Sequence, residues 1–265
     1  MGNRQRLWLK VSLLALIVAC PARIVSAQTT APAEAAPIQK ESPAEAAKPE
    51  PAVPTLFGNV WRDLRGVIRR DSLTWIAAGG VVSAGAVLLD DEVAKALHDP
   101  EPDLSVEIGD VLGEAYVHVG VPLAIYVTSR MTHHDAPARV ASTLLRAQFV
   151  NGIMTRSLKL LPRHRPDRET LSLSSGSFPS GHTSAAFATA TVLQRQYGWR
   201  AGLPAYLVAS YVGVTRLQNE HFLSDVTFGA ALGVASALSV DVPSTRVSVS
   251  PLVRPGTIGM MVEVR

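Results

Sequence analysis

The distribution of apolar residues between positions 72 and 240 predicts helices. Apolar side chains recur there at helical spacing, in runs that glycine, proline or charged residues interrupt. We expect Asp90-Asp91-Glu92 to stop the first run and two prolines, Pro162 and Pro166, to stop the third. The runs are roughly 72–89, 106–129, 137–161, 181–197, 201–216 and 222–240. This pattern predicts an all-α domain in which six helices run up and down as a bundle.

Two segments that flank these runs have other patterns. Phe57 to Arg70 is predicted to form a basic amphipathic helix that packs on the core, with contact to a membrane surface as the alternative. The period changes in residues 245–265. Arg246 to Ser250 alternates in polarity and Ile258 to Val264 is strand-like, with Arg254-Pro255-Gly256 between them, which predicts a short C-terminal β-hairpin. The helical domain is therefore expected to cover 56–241, and the hairpin tail 242–265.

Residues 1–55 are predicted to lie outside the folded domain. Residues 1–27 have the basic, apolar and small-residue order of an export signal that is cleaved after Ala27. A lipoprotein signal with Cys20 as the lipidated residue and an uncleaved anchor helix are the alternatives. Residues 28–55 are rich in Ala, Pro and Glu and contain six prolines, which predicts a disordered linker. These features predict an exported protein of the periplasm, the cell membrane or the wider envelope.

Charge and cysteine content narrow the classes of protein. The formal net charge of the 265-residue chain is +3, and the four basic residues of the leader account for this excess. The positive charge therefore gives no indication of nucleic-acid binding. Cys20 is the only cysteine, so an intramolecular disulfide is impossible.

The apolar runs leave the relation to a membrane open. Only 72–89 approaches the length of about 20 residues that a membrane span needs. Arginines precede the first run and also lie in loops on the same side, which would make that side cytoplasmic if all the runs crossed. A cleaved export signal would instead put that side outside. A bundle that does not fully cross the membrane removes this conflict.

Three polar clusters lie near the ends of the last four runs. Arg165 and Arg216 carry permanent charge on a planar fork that suits phosphate oxygens. Ser180-Gly181 opens the fourth run, and N–H groups at such a helix start bind oxyanions. Gly181 lets the anion approach the backbone closely, because it has no side chain. An up-down bundle would bring all three clusters to one end, which predicts an anion site there.

Two histidines accompany this predicted anion site. His221 and Asp225 are four residues apart, so we expect them to share a helix face. A carboxylate in that position can hold one imidazole nitrogen and leave the other available to attack. His182 lies at the start of the fourth run. His133-His134-Asp135 is predicted to be a solvated turn, and no metal site is expected.

These residues resemble the pattern of the type 2 phosphatidic-acid phosphatase and vanadium haloperoxidase superfamily. That pattern has Lys followed by Arg-Pro, then Pro-Ser-Gly-His, then Ser-Arg with a His and an Asp beyond. The resemblance covers roughly 72–240, and the matching residues are Lys159, Arg165-Pro166, Pro179-Ser180-Gly181-His182, Arg216, His221 and Asp225.

The chain departs from that pattern at both basic motifs. Five residues separate Lys159 from Arg165 and four separate Arg216 from His221, each one fewer than usual. Leu158 occupies the usual Lys position, and Thr215 occupies the usual Ser position.

The resemblance implies a six-helix bundle and a catalytic mechanism. It implies that His221 attacks phosphorus to form a phosphohistidine, that Asp225 orients His221, and that His182 protonates the leaving oxygen. No cofactor is implied, because basic side chains neutralise the phosphate. The residues implied to hold the phosphate oxygens are Lys159, Arg165, Ser180, Gly181 and Arg216, with Arg163 or Arg156 as substitutes for Lys159.

Three functions are compatible with this resemblance. The first is a metal-independent phosphatase that acts on a phosphate monoester or diphosphate of a membrane lipid, such as a phospholipid or a polyprenyl phosphate. The second is a vanadium-dependent haloperoxidase, for which vanadate is the cofactor rather than an inhibitor. The third is a catalytically silent member that binds a phospholipid or a polyprenyl phosphate, and the two shortened spacings support it.

Overall fold

The computed structural model describes residues 56, 58–98, 104–161, 163–166, 176–218 and 220–242, and the backbone of two strands within 247–264. The predicted export signal 1–27 and the predicted linker 28–55 lie outside the described residues.

The described residues before 243 are mostly helical, as the apolar pattern predicts. A 3₁₀ turn, Val87–Leu89, joins the second and third helices, and a π-helical turn, Tyr116–Gly120, precedes the fifth. The helices are α1 (Val60–Gly66), α2 (Arg70–Ala86), α3 (Asp90–Leu97), α4 (Leu104–Gly113), α5 (Val121–Met131), α6 (Asp135–Leu158), α7 (Gly181–Tyr197), α8 (Trp199–Arg216) and α9 (Leu223–Ser239).

The division into helices differs from the predicted six. Asp90-Asp91-Glu92 opens α3 instead of ending the first run, because acidic side chains are favourable in the first turn of a helix. The second predicted run, 106–129, is broken after Gly113, and its two parts are bent by 42°. Hydrophobic spacing alone does not reveal the break after Gly113, because apolar residues lie on both sides of it.

Helix α9 lies at the centre of the bundle and packs against α2, α6 and α7. Its side chains Val226 and Leu232 are fully buried, and this burial is the main driving force for assembly. Glycines allow the helices to approach closely. A side chain at Gly233 would collide with the backbone of α7, and one at Gly79 of α2 would collide with Ala231.

Helix α1 packs on the core, which was the favoured interpretation of the Phe57 to Arg70 segment. Leu64 and Val67 pack against a buried cluster that includes residues of α6, α7 and α9. Asp63 forms an ion pair with Arg146 of α6, and each side chain is only 2% exposed. A buried carboxylate requires such a partner, so this pair fixes α1 to α6.

The C-terminal segment forms two antiparallel strands, β1 (Val247–Arg254) and β2 (Thr257–Val264). Val247 pairs with Val264 and Arg254 pairs with Thr257. These strands lie in the segment for which alternating polarity predicts a hairpin.

Helices α2, α4 and α5 expose large apolar side chains. Val81 is 75% exposed, and Ile108 and Leu123 are 44% exposed. The continuous helical stretch Arg70–Leu97 is long and apolar enough to cross a membrane, and only 28% of its most apolar part is buried. Helices α4 and α5 would make a second crossing if the bent pair is one span.

The connections of the bundle bring four helix ends together. The N–H of Ser180, just before α7, donates a hydrogen bond of 3.1 Å to the carbonyl of Asp225 in the first turn of α9. The N–H of Ser177 donates 3.1 Å to the carbonyl of Arg163, which follows α6. The N–H of His221 donates 3.0 Å to the carbonyl of Arg216 at the end of α8. The polar clusters predicted from the sequence therefore lie on connected segments at this end of the bundle.

Candidate active site

The centre of the candidate site is the buried pair of His221 and Asp225. The side chain of His221 is 2% exposed, that of Asp225 is 0% exposed, and His221 Nδ1 lies 3.7 Å from Asp225 Oδ2. His221 precedes the N-cap residue Phe222, so the two residues do not share a helix face as expected. They meet instead because the Asp225 carboxylate reaches back over the first turn of α9.

Asp225 is held by donors from three parts of the chain. Its Oδ2 accepts a hydrogen bond from the Ser177 hydroxyl and one of 2.8 Å from the Phe222 N–H. Its Oδ1 accepts a hydrogen bond of 2.8 Å from Arg163 Nη1. A carboxylate with this many donors stays ionised and fixed in orientation.

The environment favours a neutral imidazole beside a charged carboxylate. Burial lowers the pKa of the His221 imidazole, and the nearby Asp225 carboxylate offsets this only in part. Burial raises the pKa of the Asp225 carboxyl, but His221, Ser177 and Arg163 outweigh it and hold that pKa below its ordinary value. A neutral His221 has a lone pair available for attack on phosphorus.

The two arginines predicted to bind phosphate converge on one carboxylate. Arg165 Nη1 lies 3.0 Å and Arg216 Nη1 lies 3.5 Å from Glu220 Oε2. Burial raises the pKa of the Glu220 carboxyl, but Arg216 and Arg165 outweigh it and lower that pKa. Arg216 also forms an ion pair with Asp110 of α4. Glu220 and Asp110 thus occupy positions where the guanidinium groups can bind an anion.

Lys159 ends α6 at the same site. Its Nζ donates a hydrogen bond of 2.8 Å to the Gly176 carbonyl. Burial first, and then the charge of Arg165, lower the pKa of the Lys159 ammonium group. The positive charges of Lys159 and Arg165 also act on His221, where both favour the neutral imidazole.

His182 lies in the first turn of α7 and contacts α4. Its Nε2 is 3.5 Å from Glu114 Oε1, and its side chain is 26% exposed. A side chain at Gly113 would collide with His182, so this glycine allows α4 to lie against the histidine. His182 also contributes to lowering the pKa of the Glu220 carboxyl, the carboxylate that Arg165 and Arg216 share.

The start of α7 differs in one respect from the expected anion site. The Ser180 hydroxyl caps the helix by accepting from Thr183 N, and the Ser180 N–H is bonded to Asp225. The side chain of Ser180 is fully buried. The amide of Ser180 is therefore already engaged, and Gly181, the first residue of α7, is the member of this pair that can offer its N–H to an anion.

Two buried nitrogen atoms of the site lack a hydrogen-bond partner within the described part of the chain. They are Arg216 Nε and His221 Nδ1. Buried donors without partners cost stability, and the Arg216 donor is of the kind that binds phosphate oxygens.

Sequence reasoning missed several residues that shape this site. Arg163 was considered only as a substitute for Lys159, and Asp90 only as a helix stop, yet both belong to the hydrogen-bond network around Asp225. Glu220 lies directly before His221 and could have been noticed for that reason. Asp110 and Glu114 are four residues apart on a predicted helix, but nothing in their spacing indicates which helix they face.

A family model agrees with the site. Residues 137–243, which contain every residue of the three polar clusters, match the model of the PAP2 superfamily. The match begins within α6 and ends just beyond α9.

Two known proteins resemble the chain. A lipid A 1-phosphatase of Porphyromonas gingivalis is 36% identical over 99 residues, which are 36% of this chain and 21% of that protein. The chain thus matches about a fifth of the length of this relative. A crystal structure of a transmembrane PAP2-type phosphatidylglycerolphosphate phosphatase from Bacillus subtilis covers 68% of this chain and 90% of that one, with 20% identity and a TM-score of 0.42. The part of this chain from α6 to α9 is thus similar to the PAP2 superfamily, whose model it matches.

Proposed function

We propose that the chain is a metal-independent phosphatase that hydrolyses a phosphate monoester or diphosphate of a membrane lipid through a phosphohistidine. The observation that carries this proposal is the buried His221–Asp225 pair beside the convergent fork of Arg165 and Arg216. His221 can attack phosphorus, and Arg165 and Arg216 can stabilise the charge of the phosphoryl group during transfer.

In the first step, His221 Nε2 donates its lone pair to phosphorus. The bond from phosphorus to the leaving oxygen breaks, and its electron pair stays on that oxygen. The protonated His182 donates a proton to the same oxygen, so the alcohol or the shortened phosphate leaves with that oxygen protonated. Asp225 stabilises the positive charge that develops on the His221 ring.

In the second step, water attacks the phosphohistidine. The neutral His182 accepts a proton from this water as the new oxygen–phosphorus bond forms. The phosphorus–nitrogen bond breaks and returns its electron pair to His221 Nε2. Orthophosphate then leaves, and both histidines have the protonation states with which they started.

The equatorial oxygens of the phosphoryl group would bind Arg165, Arg216 and the Gly181 amide, with Lys159 nearby. The incoming phosphate would displace Glu220 and Asp110 from the guanidinium groups, because a dianion binds an arginine fork more strongly than a single carboxylate does. Basic side chains of this kind can supply the charge stabilisation that metal ions supply in other phosphoryl-transfer enzymes.

A lipid substrate suits the surface around the site. Helices α2, α4 and α5 carry exposed apolar side chains, and the site contains Asp110 of α4 and Glu114, which directly follows α4. Exposed apolar surface of this extent is typical of membrane contact. A phospholipid, a polyprenyl phosphate or a lipid A type phosphate would present its headgroup there, which agrees with the lipid phosphatase named among the relatives. We propose membrane association and, from the leader, an exported location in the cell envelope.

Phosphate release by the detergent-solubilised full-length chain tests the proposal. The substrates are a chromogenic aryl phosphate, phosphatidic acid, phosphatidylglycerophosphate, undecaprenyl diphosphate and lipid A. We expect release that EDTA leaves unchanged and that vanadate blocks. Activity lost in EDTA and restored by a divalent cation would contradict metal independence. Bromide oxidation after addition of vanadate would favour the haloperoxidase, and orthophosphate binding without turnover would favour the silent binding protein.

A further inference from the structure

Arg163 lies between two buried carboxylates from distant parts of the chain. Its Nη1 donates 2.8 Å to Asp225 Oδ1, and its Nη2 donates 2.7 Å to Asp90 Oδ2. The side chain of Asp90 is 6% exposed and that of Asp225 is 0% exposed. One guanidinium group therefore joins the first residue of α3 to the carboxylate that faces His221.

Ser224 closes this network into a ring of hydrogen bonds. Its hydroxyl accepts 2.9 Å from Arg163 Nη1 and donates 2.6 Å to Asp90 Oδ2. Its N–H donates 2.9 Å to Asp90 Oδ1, so both oxygens of that carboxylate are engaged. The Arg163 guanidinium also lies 4.8 Å from the centre of the Phe222 ring, which limits its movement from another side.

This geometry differs from that of a phosphate-binding arginine. Both terminal nitrogens of the Arg163 fork bind protein carboxylates at hydrogen-bond distance. Arg165 and Arg216 meet carboxylates that are 41–42% exposed and that an incoming anion can displace. Asp90 and Asp225 are buried, and removal of their cationic partner would leave two carboxylates without it in a low-dielectric environment.

We propose that Arg163 and Asp90 are positioning residues that hold Asp225, and through it His221, in the orientation required for attack. The proposal rests on the phosphatase function proposed above and adds two residues to its machinery. Arg163 acts on the nucleophile rather than on the phosphate, so its place is not that of a substitute for Lys159. Asp90 acts one step further away, since it fixes the second nitrogen of the Arg163 fork.

The physical effect is alignment of the attacking lone pair. Asp225 Oδ2 lies 3.7 Å from His221 Nδ1, so we expect a shift of this carboxylate to reorient the ring. A displacement of about 1 Å in a catalytic group can cost about 10²-fold in rate. Arg163→Gln keeps a donor at this position but loses the charge and the fork. Arg163→Lys keeps the charge but cannot bridge both carboxylates equally well.

Steady-state kinetics of the full-length chain on the aryl phosphate separate positioning from phosphate binding. We expect Arg163→Gln to lower kcat about 10²-fold, with KM and the inhibition constant of orthophosphate within about twofold of the wild type. Arg163→Lys should fall between the wild type and Arg163→Gln. Arg195→Gln is the matched control, because Arg195 is a half-buried arginine that donates only 2.6 and 2.8 Å bonds to the carbonyls of Ala237 and Val240. Its kcat should be unchanged.

Asp90→Asn extends the test to the second positioning residue. Its oxygen can still accept from the Ser224 N–H, so the start of α9 is preserved. We expect a loss in kcat of about tenfold that largely disappears when Arg163 is already Gln, because the two residues act through one network. Equal losses in both backgrounds would contradict the coupling of Asp90 to Arg163.

Nitrogen NMR of ¹⁵N-histidine-labelled protein gives a readout that needs no turnover. In the wild type, His221 should be neutral with its proton on Nδ1, facing Asp225, and in Arg163→Gln its two ring nitrogens should change in shift and tautomer. His221→Ala identifies the signals. An unchanged His221 spectrum, an increase in KM with unchanged kcat, or an equal loss of kcat in Arg195→Gln would overturn the inference. If the wild type releases no phosphate while the His221 signals respond as expected, the proposed function fails and the positioning network stands.

Discussion

Among the described residues, Arg146 and Arg163 both contact buried carboxylates, but the two contacts differ in their surroundings. Arg146 pairs with Asp63, and this contact joins α1 to α6. Arg163 bridges Asp90 and Asp225, and the second of these carboxylates faces His221. The same chemical pair thus stabilises the fold in one region and orients a reactive group in the other. What decides between these roles is the group on the far side of the carboxylate.

His221→Ala should give the largest difference in activity between substitutions in the two regions. This variant removes the proposed nucleophile, so turnover of every ester should fall to the background rate. A substitution in the Arg146–Asp63 pair is not expected to have this effect, because this pair lies between α1 and α6 and not at His221. Phosphate release from both the aryl and the lipid esters is the measurement. Turnover of either ester above about one-hundredth of the wild-type rate would contradict the assignment of His221.

His182→Ala should reduce activity selectively. General acid catalysis is worth about 10²–10⁴ in rate, and we expect a loss of this size on an alkyl or lipid phosphate. A nitrophenolate leaving group needs little protonation, so the loss on the aryl ester should be at least about tenfold smaller. Paired kcat values on both esters check this. Equal losses on the two esters would mean that His182 does not protonate the leaving oxygen.

Arg146→Met should lower stability without lowering the rate of the folded protein. The change leaves Asp63 buried without its partner, which costs about 3–5 kcal/mol in free energy of unfolding. The double variant Asp63→Leu with Arg146→Met should recover most of that loss, since an apolar pair can replace a buried ion pair. Thermal unfolding together with kcat per folded molecule tests this. A fall in kcat for the folded fraction would erase the distinction between the two regions.

Acid should destabilise the protein through the catalytic pair. The pKa of His221 in the folded chain lies below its ordinary value of 6.5. As pH falls below 6.5, the unfolded chain therefore binds a proton before the folded chain does, and stability declines until pH reaches the folded pKa. The pKa of Asp225 is also lowered, from 3.8, so its contribution is lost only at still lower pH.

The unfolding temperature of the wild type and of His221→Ala between pH 8 and pH 5 measures this effect. The decline below pH 6.5 should be smaller in His221→Ala, because the group whose folded pKa is lowered is missing. The activity of the wild type should persist below pH 6.5 for the same reason, since His221 stays neutral there. Identical pH dependence of unfolding in the two proteins would contradict a neutral buried His221.

The smallest expected effect concerns Glu220. Glu220→Gln removes the carboxylate that Arg165 and Arg216 share, so phosphate meets less repulsion and less competition. An exposed ion pair is worth at most about 1 kcal/mol, and we therefore expect KM and the orthophosphate inhibition constant to fall about two- to fivefold. Asp135→Asn is the control, since Asp135 pairs with Arg130 outside the site. A higher KM in Glu220→Gln would mean that Glu220 helps to bind the substrate.

The sequence predicts the helical segments better than their breaks. Strong apolar spacing marks α6 to α9, whose bounds lie within a few residues of the expected runs. The bend after Gly113 lies where α4 packs closely on His182, and Asp90 at the start of α3 accepts a hydrogen bond from the Ser224 N–H of α9. Such contacts form only in the tertiary structure, and the local spacing of apolar residues does not reveal them.

The same limit applies to the site. The short motifs carry Arg165, Arg216, His182, His221 and Asp225, because these residues have fixed neighbours in the chain. Asp90 has no such neighbours, since it is 73 residues away from Arg163 and 134 residues away from Ser224. The residues to which we assign the chemistry are thus recognisable from sequence, whereas the residues proposed to hold them in place require the fold.

We propose that the phosphoryl group is transferred to His221 before it is released as orthophosphate. Rapid acid or base quench during turnover, followed by mass spectrometry of the proteolysed chain, tests it most directly. We expect a phosphoryl group on the peptide that contains His221 in the wild type, an accumulated level of the same species on the aryl ester in His182→Ala, and none in His221→Ala. A phosphorylated peptide in His221→Ala would contradict the role of His221 as the nucleophile. In the wild type, phosphorylation of a peptide that does not contain His221 would contradict it as well.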